Sequence, residues 1–191
     1  FDGVEIHGAH GNLPNQFFNQ SSNTRKDEYG GDIENRLRFL LDIIKGSCQA
    51  IGSDKVALRI SPFSYADTKE NPLMLCRLYK TLIEELNSFD LSYLHLSHMG
   101  EAYPEKFKLW KELRSTYKGT LMLCGDFTKD TAAEALRNNE ADLIAFGRDF
   151  IANPDLVERF KNKWPLAIRD RTNWYSMGSK GLTDYPFFKE K

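Results

Sequence analysis

Five short apolar runs, each followed by a segment with helical spacing, constrain the fold of this chain more than any other feature. The runs cover residues 3–6, 56–60, 93–96, 121–124 and 143–146. They are mostly apolar and show no alternation, a pattern typical of parallel strands that are buried on both faces of a sheet.

The segments between the runs carry apolar residues at the spacing of an amphipathic helix. After Ile33, apolar side chains recur with a 3.6-residue period up to Ile44, while arginine and lysine occupy the other positions. The same spacing predicts further helices at residues 73–86, 107–113, 131–136 and 156–160. Thr128 is a plausible N-cap for the fourth helix, and Asn153-Pro154 is expected to open the fifth with proline at its first position.

The repeated strand–helix order predicts an α/β fold, either an open doubly wound sheet or part of a (β/α)₈ TIM barrel. No linker or low-complexity segment divides the 191 residues, so we expect residues 1–191 to belong to a single domain. In both architectures, functional groups gather just past the carboxyl ends of the strands.

Composition argues against nucleic acid and membranes as partners. The chain has 26 Lys+Arg against 27 Asp+Glu and a net charge of −1, which does not favour binding to nucleic acid or to an anionic membrane. No apolar run approaches the roughly 18 residues of a membrane helix, and the first residues do not resemble a secretory signal. Cys48, Cys76 and Cys124 are too scattered for a disulfide framework, so we expect free thiols in a cytoplasmic protein.

Glycine and charged residues follow the last two predicted strands. These residues are Gly125 and Asp126 after one strand and Gly147 and Arg148 after the next. Barrels commonly bind phosphate in the corresponding loops, where glycine leaves backbone N–H groups accessible and an arginine adds a bidentate partner. The alternative is a pair of ordinary turns with an arginine on the surface.

Arg59 interrupts the second apolar run. A buried guanidinium is costly unless it is paired or faces a polar ligand. Arg59 therefore either forms a structural salt bridge or stabilises negative charge on a bound group.

Histidines occur in two pairs with the same spacing. His7 and His10 share the loop after the first strand, and His95 and His98 come two strands later. Four imidazoles are compatible with a metal-dependent barrel hydrolase, but the helical HExxH pattern is absent and no carboxylate at the last strand end completes a site. We expect no metal, a satisfied core histidine at position 95, and neutral His7 and His10 that donate hydrogen bonds to a substrate oxygen.

Several segments resemble the old yellow enzyme family, the FMN-dependent ene-reductases. The two most specific segments are FDGVEIHGAHG at residues 1–11 and NTRKDEYGGDIENR at residues 23–36. Residues 56–62, 125–127, 145–148 and 172–186 are similar to later family segments in the same order. The resemblance covers essentially the whole chain.

The resemblance implies a (β/α)₈ barrel that holds FMN at the carboxyl-end mouth, with this chain supplying strands four to eight. It places His7 and His10 at the pair that hydrogen-bonds a substrate carbonyl or nitro group, and Arg59 beside the flavin N1 and C2 carbonyl. The implied FMN phosphate site consists of Gly125, Asp126, Gly147 and Arg148. The resemblance also implies that Tyr175 lines the substrate pocket and that Trp174 lies near the flavin ring.

The implied reaction has two steps. NADPH or NADH reduces FMN, and the reduced flavin passes hydride to an activated alkene such as an enone, or reduces a quinone or a nitro compound. The two histidines stabilise the charge that develops on the substrate oxygen. Asn12 stands where the family usually has a tyrosine that protonates the α-carbon, and an amide cannot act as that acid.

A second departure concerns size. A complete barrel typically needs about 250 residues, and the first three strands of the family have no counterpart in this sequence. We therefore expect the C-terminal part of an FMN-binding barrel domain. The alternative is a truncated, inactive half-barrel that is kept as a scaffold for a partner.

Overall fold

A computed structural model describes residues 1–67, 69–97, 105–175 and 177–189. At residues 105–108 it describes only the backbone. Five parallel strands form one sheet in the described residues: β1 (Val4–Gly8), β2 (Val56–Ile60), β3 (Tyr93–Ser97), β4 (Leu121–Cys124) and β5 (Leu143–Ala145). All five correspond to the predicted apolar runs.

The order of the strands separates the two architectures that the sequence left open. Each strand pairs with the next one along the chain, so the sheet order is β1-β2-β3-β4-β5. A doubly wound sheet reverses its strand order at a switch point, whereas a barrel adds each strand beside the previous one. The topology is therefore that of part of a barrel.

Seven α-helices lie in the described residues: α1 (Leu13–Phe18), α2 (Ile33–Ile51), α3 (Pro72–Leu86), α4 (Glu105–Thr116), α5 (Lys129–Arg137), α6 (Arg148–Ala152) and α7 (Leu156–Asn162). The five predicted helices correspond to α2, α3, α4, α5 and α7. Helices α1 and α6 span six and five residues, too few for a helical period to be recognised in the sequence. None of the helices in the described ranges has the length and apolar character needed to cross a bilayer.

The two predicted helix starts have different outcomes. The Thr128 hydroxyl accepts a hydrogen bond from the Thr131 amide and caps α5, as predicted. The prediction for Pro154 is wrong, because α7 begins at Leu156, after Asp155. Pro154 instead occupies a turn that the Leu156 amide closes on the Asn153 carbonyl oxygen.

The two faces of the sheet differ in polarity, although β2 and β3 are buried on both faces as predicted. One face carries Leu58, Ile60, Leu94, Leu96, Leu121 and Leu123, which are buried in one cluster with helix residues such as Leu40 and Leu82. Because side chains alternate along a strand and the register is known, the other face carries Glu5, His7, Arg59, His95, Ser97 and Cys124. Apolar neighbours such as Ala57 and Met122 on this second face conceal the alternation in the sequence.

Candidate active site

A cavity of about 840 Å³ lies at the carboxyl ends of the strands. Arg59, Ser97 and Cys124 line it from β2, β3 and β4. The loops after β4 and β5 contribute the four residues of the predicted phosphate site, which are Gly125, Asp126, Gly147 and Arg148. The structure therefore brings these strand-end residues to one place.

Ser97 joins Arg59 to His10. Arg59 Nη2 donates to Ser97 Oγ at 2.9 Å, and His10 Nε2 lies 2.9 Å from the same oxygen. The backbone of His10 is also held, because its amide donates to Ser61 Oγ at 2.8 Å and its carbonyl oxygen accepts from Tyr65 Oη at 2.8 Å. His10 has a φ of 54°, in the left-handed region that side chains rarely adopt, so these bonds stabilise an otherwise unfavourable loop conformation.

Arg59 forms no ion pair with a described carboxylate, so the structure gives no support to a structural salt bridge. Its Nε is buried and has no hydrogen-bond partner within the described residues. A buried guanidinium donor without an acceptor is unfavourable. The arrangement therefore suits a ligand that brings an electron-rich group to Arg59.

His10 is neutral at physiological pH. Burial of its ring, followed by the positive charge of Arg59 and the neighbouring His7 and His95, lowers the pKa of His10 to about 4. The pKa of His7 is also lowered, first by burial and then by Arg59. The rings of His7 and His10 lie edge to face with centroids 6.2 Å apart. Both imidazoles are thus in the uncharged form that carries one N–H donor.

A second group of polar residues lies on the same face of the sheet. His95 is 6% exposed, and its Nδ1 lies 2.9 Å from Glu5 Oε2. Although burial opposes charging of the ring, interactions with Cys124 and with the Glu5 carboxylate outweigh it, and the pKa of His95 is raised. His95 is therefore buried with a carboxylate partner.

The second histidine of that pair, His98, lies outside the described residues. Within the described residues, no group of three or more histidine, cysteine, aspartate and glutamate side chains has the arrangement of a metal site.

The lining of the cavity is rich in positive charge. It has three carboxylates and six cationic residues, which are Arg59, Lys129, Arg148, Arg159, Lys163 and Arg169. Arg148 Nη2 lies 3.0 Å from Asp126 Oδ1, so part of this charge is neutralised at the predicted phosphate site. A side chain at Gly147 would meet no described atom within 4 Å, which leaves the backbone open to a ligand.

Five predicted site residues do not line this cavity: His7, His10, Asn12, Trp174 and Tyr175. His10 is joined to the cavity residue Ser97 by its side chain. The Asn12 amide donates to the Ala9 carbonyl oxygen at 2.9 Å, and the residue is exposed. Tyr175 is 93% exposed, and Trp174 stacks against the Arg171 guanidinium at 5.7 Å. Both aromatic residues lie in the C-terminal segment, which Arg159 of α7 anchors through the carbonyl oxygens of Pro165 and Pro186. Their roles remain predictions.

Sequence reasoning did not assign a function to Glu5, Ser97 or Cys124. Ser97 follows His95 by two residues, and Cys124 follows Met122 by two. Because side chains alternate along a strand, this spacing was the signal that places Ser97 and Cys124 on the cavity side. Short strands with apolar residues on both sides weaken that signal.

The sequence and fold both match known flavin oxidoreductases. The profile of the NADH:flavin oxidoreductase / NADH oxidase family matches residues 1–167. The chain is 40% identical to 12-oxophytodienoate reductase 7 of Oryza sativa subsp. japonica, covering 98% of this chain and 52% of that protein. It is 41% identical to a probable flavin mononucleotide-dependent alkene reductase of Leishmania infantum, covering 98% of this chain and 51% of the relative.

Solved structures show the same correspondence. Morphinone reductase in complex with tetrahydroNAD superimposes with a TM-score of 0.89 at 39% identity, covering 99% of this chain and 51% of that structure. The chain spans about half the length of the relatives it matches, and its fold is a partial (β/α)₈ barrel. On the profile match over residues 1–167, the chain belongs to the NADH:flavin oxidoreductase / NADH oxidase family.

Proposed function

We propose that the protein containing this chain is an FMN-dependent oxidoreductase that uses NADPH or NADH to reduce small activated alkenes, quinones or nitro compounds. Residues 1–191 form the C-terminal part of its FMN-binding barrel domain. The named relatives support the alkene class, and the tetrahydroNAD complex of morphinone reductase supports a nicotinamide reductant. Three free cysteines agree with a location in the cytoplasm.

The observation that carries this proposal is the buried Arg59 Nε, which has no acceptor in the described residues and belongs to a cavity with excess positive charge. FMN fits this chemistry, because it has a polar ring edge and an anionic phosphate. Arg59 would hold the ring edge, and Gly125, Gly147 and Arg148 would hold the phosphate, with Asp126 releasing Arg148 to it. When bound, FMN supplies hydride transfer.

The residues of this chain bind and polarise the substrate. Neutral His7 and His10 donate N–H groups to the substrate oxygen and stabilise the negative charge that develops there. Ser97 holds the ring of His10 and the guanidinium of Arg59 in a fixed relation. Asn12 cannot deliver a proton to the α-carbon, so protonation of a reduced alkene depends on solvent.

Flavin binding tests this function. The purified protein should show the visible absorbance of bound flavin, either as isolated or after reconstitution with FMN, and it should lose that absorbance when NADPH or NADH is added without oxygen. A protein that stays colourless after reconstitution would count against the proposal and favour the inactive scaffold.

A further inference from the structure

Cys124 belongs to a group of three residues that spans the sheet. Cys124 pairs with Ser97 in the β3–β4 register, so it lies on the same face as His95. Glu5 occupies that face on β1 and contacts His95 Nδ1. A cysteine, a histidine and a carboxylate are thus aligned in the order in which a nucleophile, its base and an orienting group occur in enzymes.

The Nε2 atom of His95 is buried and has no hydrogen-bond partner among the described residues. Because Nδ1 is bound by Glu5, only Nε2 remains, and Cys124 lies on the same face of the adjacent strand. His95 is more than nine-tenths buried. Nε2 is therefore available to take the thiol proton and later to return it.

Positive charge surrounds the sulfur. The charged and titratable groups that act on Cys124 are His95 on β3, Arg59 on β2 and Arg148 on α6. The interaction with His95 is the largest influence and, with these charges, it lowers the pKa of the Cys124 thiol despite partial burial. Burial raises the pKa of Cys48, which lies elsewhere in the chain. A thiolate is the reactive form of cysteine.

We propose that Cys124 is a covalent modification site for electron-poor alkenes that enter the cavity. Cys124 lines that cavity, which gives such a molecule access to this residue. The inference rests on the proposed function in one respect only: it takes electron-poor alkenes as the class of molecule that enters the cavity. The reaction itself needs no flavin.

The step is an addition that balances without an oxidant or reductant. His95 holds the proton of the thiol, and the Cys124 thiolate forms a carbon–sulfur bond to the β-carbon of the alkene. The π electrons of the double bond move toward the carbonyl oxygen and produce an enolate. The proton on His95 then passes to the α-carbon, so the net change is addition of S–H across the carbon–carbon double bond.

Occupancy of the cavity should control this reaction. Arg59, Gly147 and Arg148 line the same space as Cys124, so a ligand held by those residues covers the sulfur. FMN at saturating concentration should therefore protect Cys124. The modification marks protein that has lost or not yet acquired its cofactor.

The experiment treats the purified protein, before and after removal of bound flavin, with N-ethylmaleimide and separately with 2-cyclohexenone. Peptide mass spectrometry then follows adducts at Cys124 and, as an internal reference, at Cys48. In flavin-free protein we expect Cys124 to be labelled at least tenfold faster than Cys48, with half-maximal rate at a pH below the roughly 8.5 of an ordinary thiol.

His95→Gln provides the matched variant. It should slow labelling of Cys124 about tenfold at neutral pH and move the pH profile upward, while an unchanged Cys48 rate and circular dichroism spectrum show that the fold is kept. Labelling of Cys124 that is no faster than that of Cys48, or that has the same pH profile in His95→Gln, would overturn the proposal.

Measuring FMN binding on the same protein distinguishes the reactive thiol from the proposed oxidoreductase. Rapid labelling of Cys124 in a protein that never binds FMN supports the reactive thiol and contradicts the proposed oxidoreductase. An inert Cys124 in flavin-free protein that binds FMN normally overturns the reactive thiol and leaves the oxidoreductase intact.

Discussion

The ring of His10 is fixed by the hydroxyl of Ser97, whose oxygen lies 2.9 Å from His10 Nε2. Because the Arg59 guanidinium can only donate, the Ser97 oxygen accepts from Arg59, and its own proton is available to Nε2. When Ser97 donates this proton, Nδ1 of neutral His10 carries the ring proton. A residue that the resemblance assigns to substrate binding is thus coupled to the arginine assigned to the cofactor.

The low pKa of His10 predicts a specific pH dependence of stability. The unfolded state has an ordinary histidine pKa of about 6.5, whereas the folded pKa is about 4. The folded state therefore binds fewer protons in this interval, so stability is full above pH ~6.5 and declines as pH falls toward 4. Urea unfolding at several pH values should show this decline, and His10→Gln should reduce its slope. An NMR titration of His10 with a midpoint near 6.5 would contradict the prediction.

Replacing Arg59 should weaken FMN binding. Hydrogen bonds to a charged group contribute about 1.5–3 kcal/mol, so Arg59→Leu is expected to raise the Kd for FMN by roughly ten- to a hundredfold. Quenching of flavin fluorescence measures this affinity. Arg137→Leu, which changes an exposed arginine on α5, serves as the control and should bind FMN normally. Equal affinities of the two variants would remove Arg59 from the cofactor site.

Asn12→Tyr should restore a proton donor. A positioned acid contributes roughly a hundredfold or more to proton transfer, so we expect alkene reduction to rise at least tenfold while quinone reduction, which needs no carbon protonation, changes little. Steady-state rates with an enone and a quinone test this, and Asn12→Phe controls for the aromatic ring. If both substrates respond in parallel, the missing acid is not what limits turnover.

A buried ion pair should anchor the C-terminal segment. The side chains of Arg159 and Asp155 are 6% and 7% exposed, and Arg159 Nε lies 2.7 Å from Asp155 Oδ1. Arg159 also donates to the carbonyl oxygens of Pro165 and Pro186, and Asp155 accepts from the Phe188 amide.

Breaking this pair by Asp155→Ala leaves a buried unpaired charge and should cost about 3–5 kcal/mol. Denaturant unfolding measures the loss, and limited proteolysis should cut the segment after residue 164 sooner. The control is Glu158→Ala, whose exposed carboxylate lies 3.9 Å from Lys161 and should contribute less than about 1 kcal/mol. Similar losses in both variants would show that the pair does not anchor the segment.

Local patterns in the sequence predict most of the elements but not their limits. The capping hydroxyl of Thr128 acts over three residues, so its role follows from the sequence alone. The Asp155 carboxylate, which precedes α7, accepts a hydrogen bond from the Phe188 amide 33 residues away and does not cap the helix. An interaction between distant segments leaves no periodic signal in the sequence.

The sequence by itself determined the strand–helix order, the family, and the collection of Arg59, Gly147 and Arg148 at strand ends, because periodicity and motifs are local properties of the chain. Only the tertiary structure decided which groups meet. It joined His10 to Arg59 through Ser97, turned Glu5, His95 and Cys124 to one face, and kept Tyr175 outside the cavity. Pairing register and packing between distant segments set these contacts, and both depend on the whole fold.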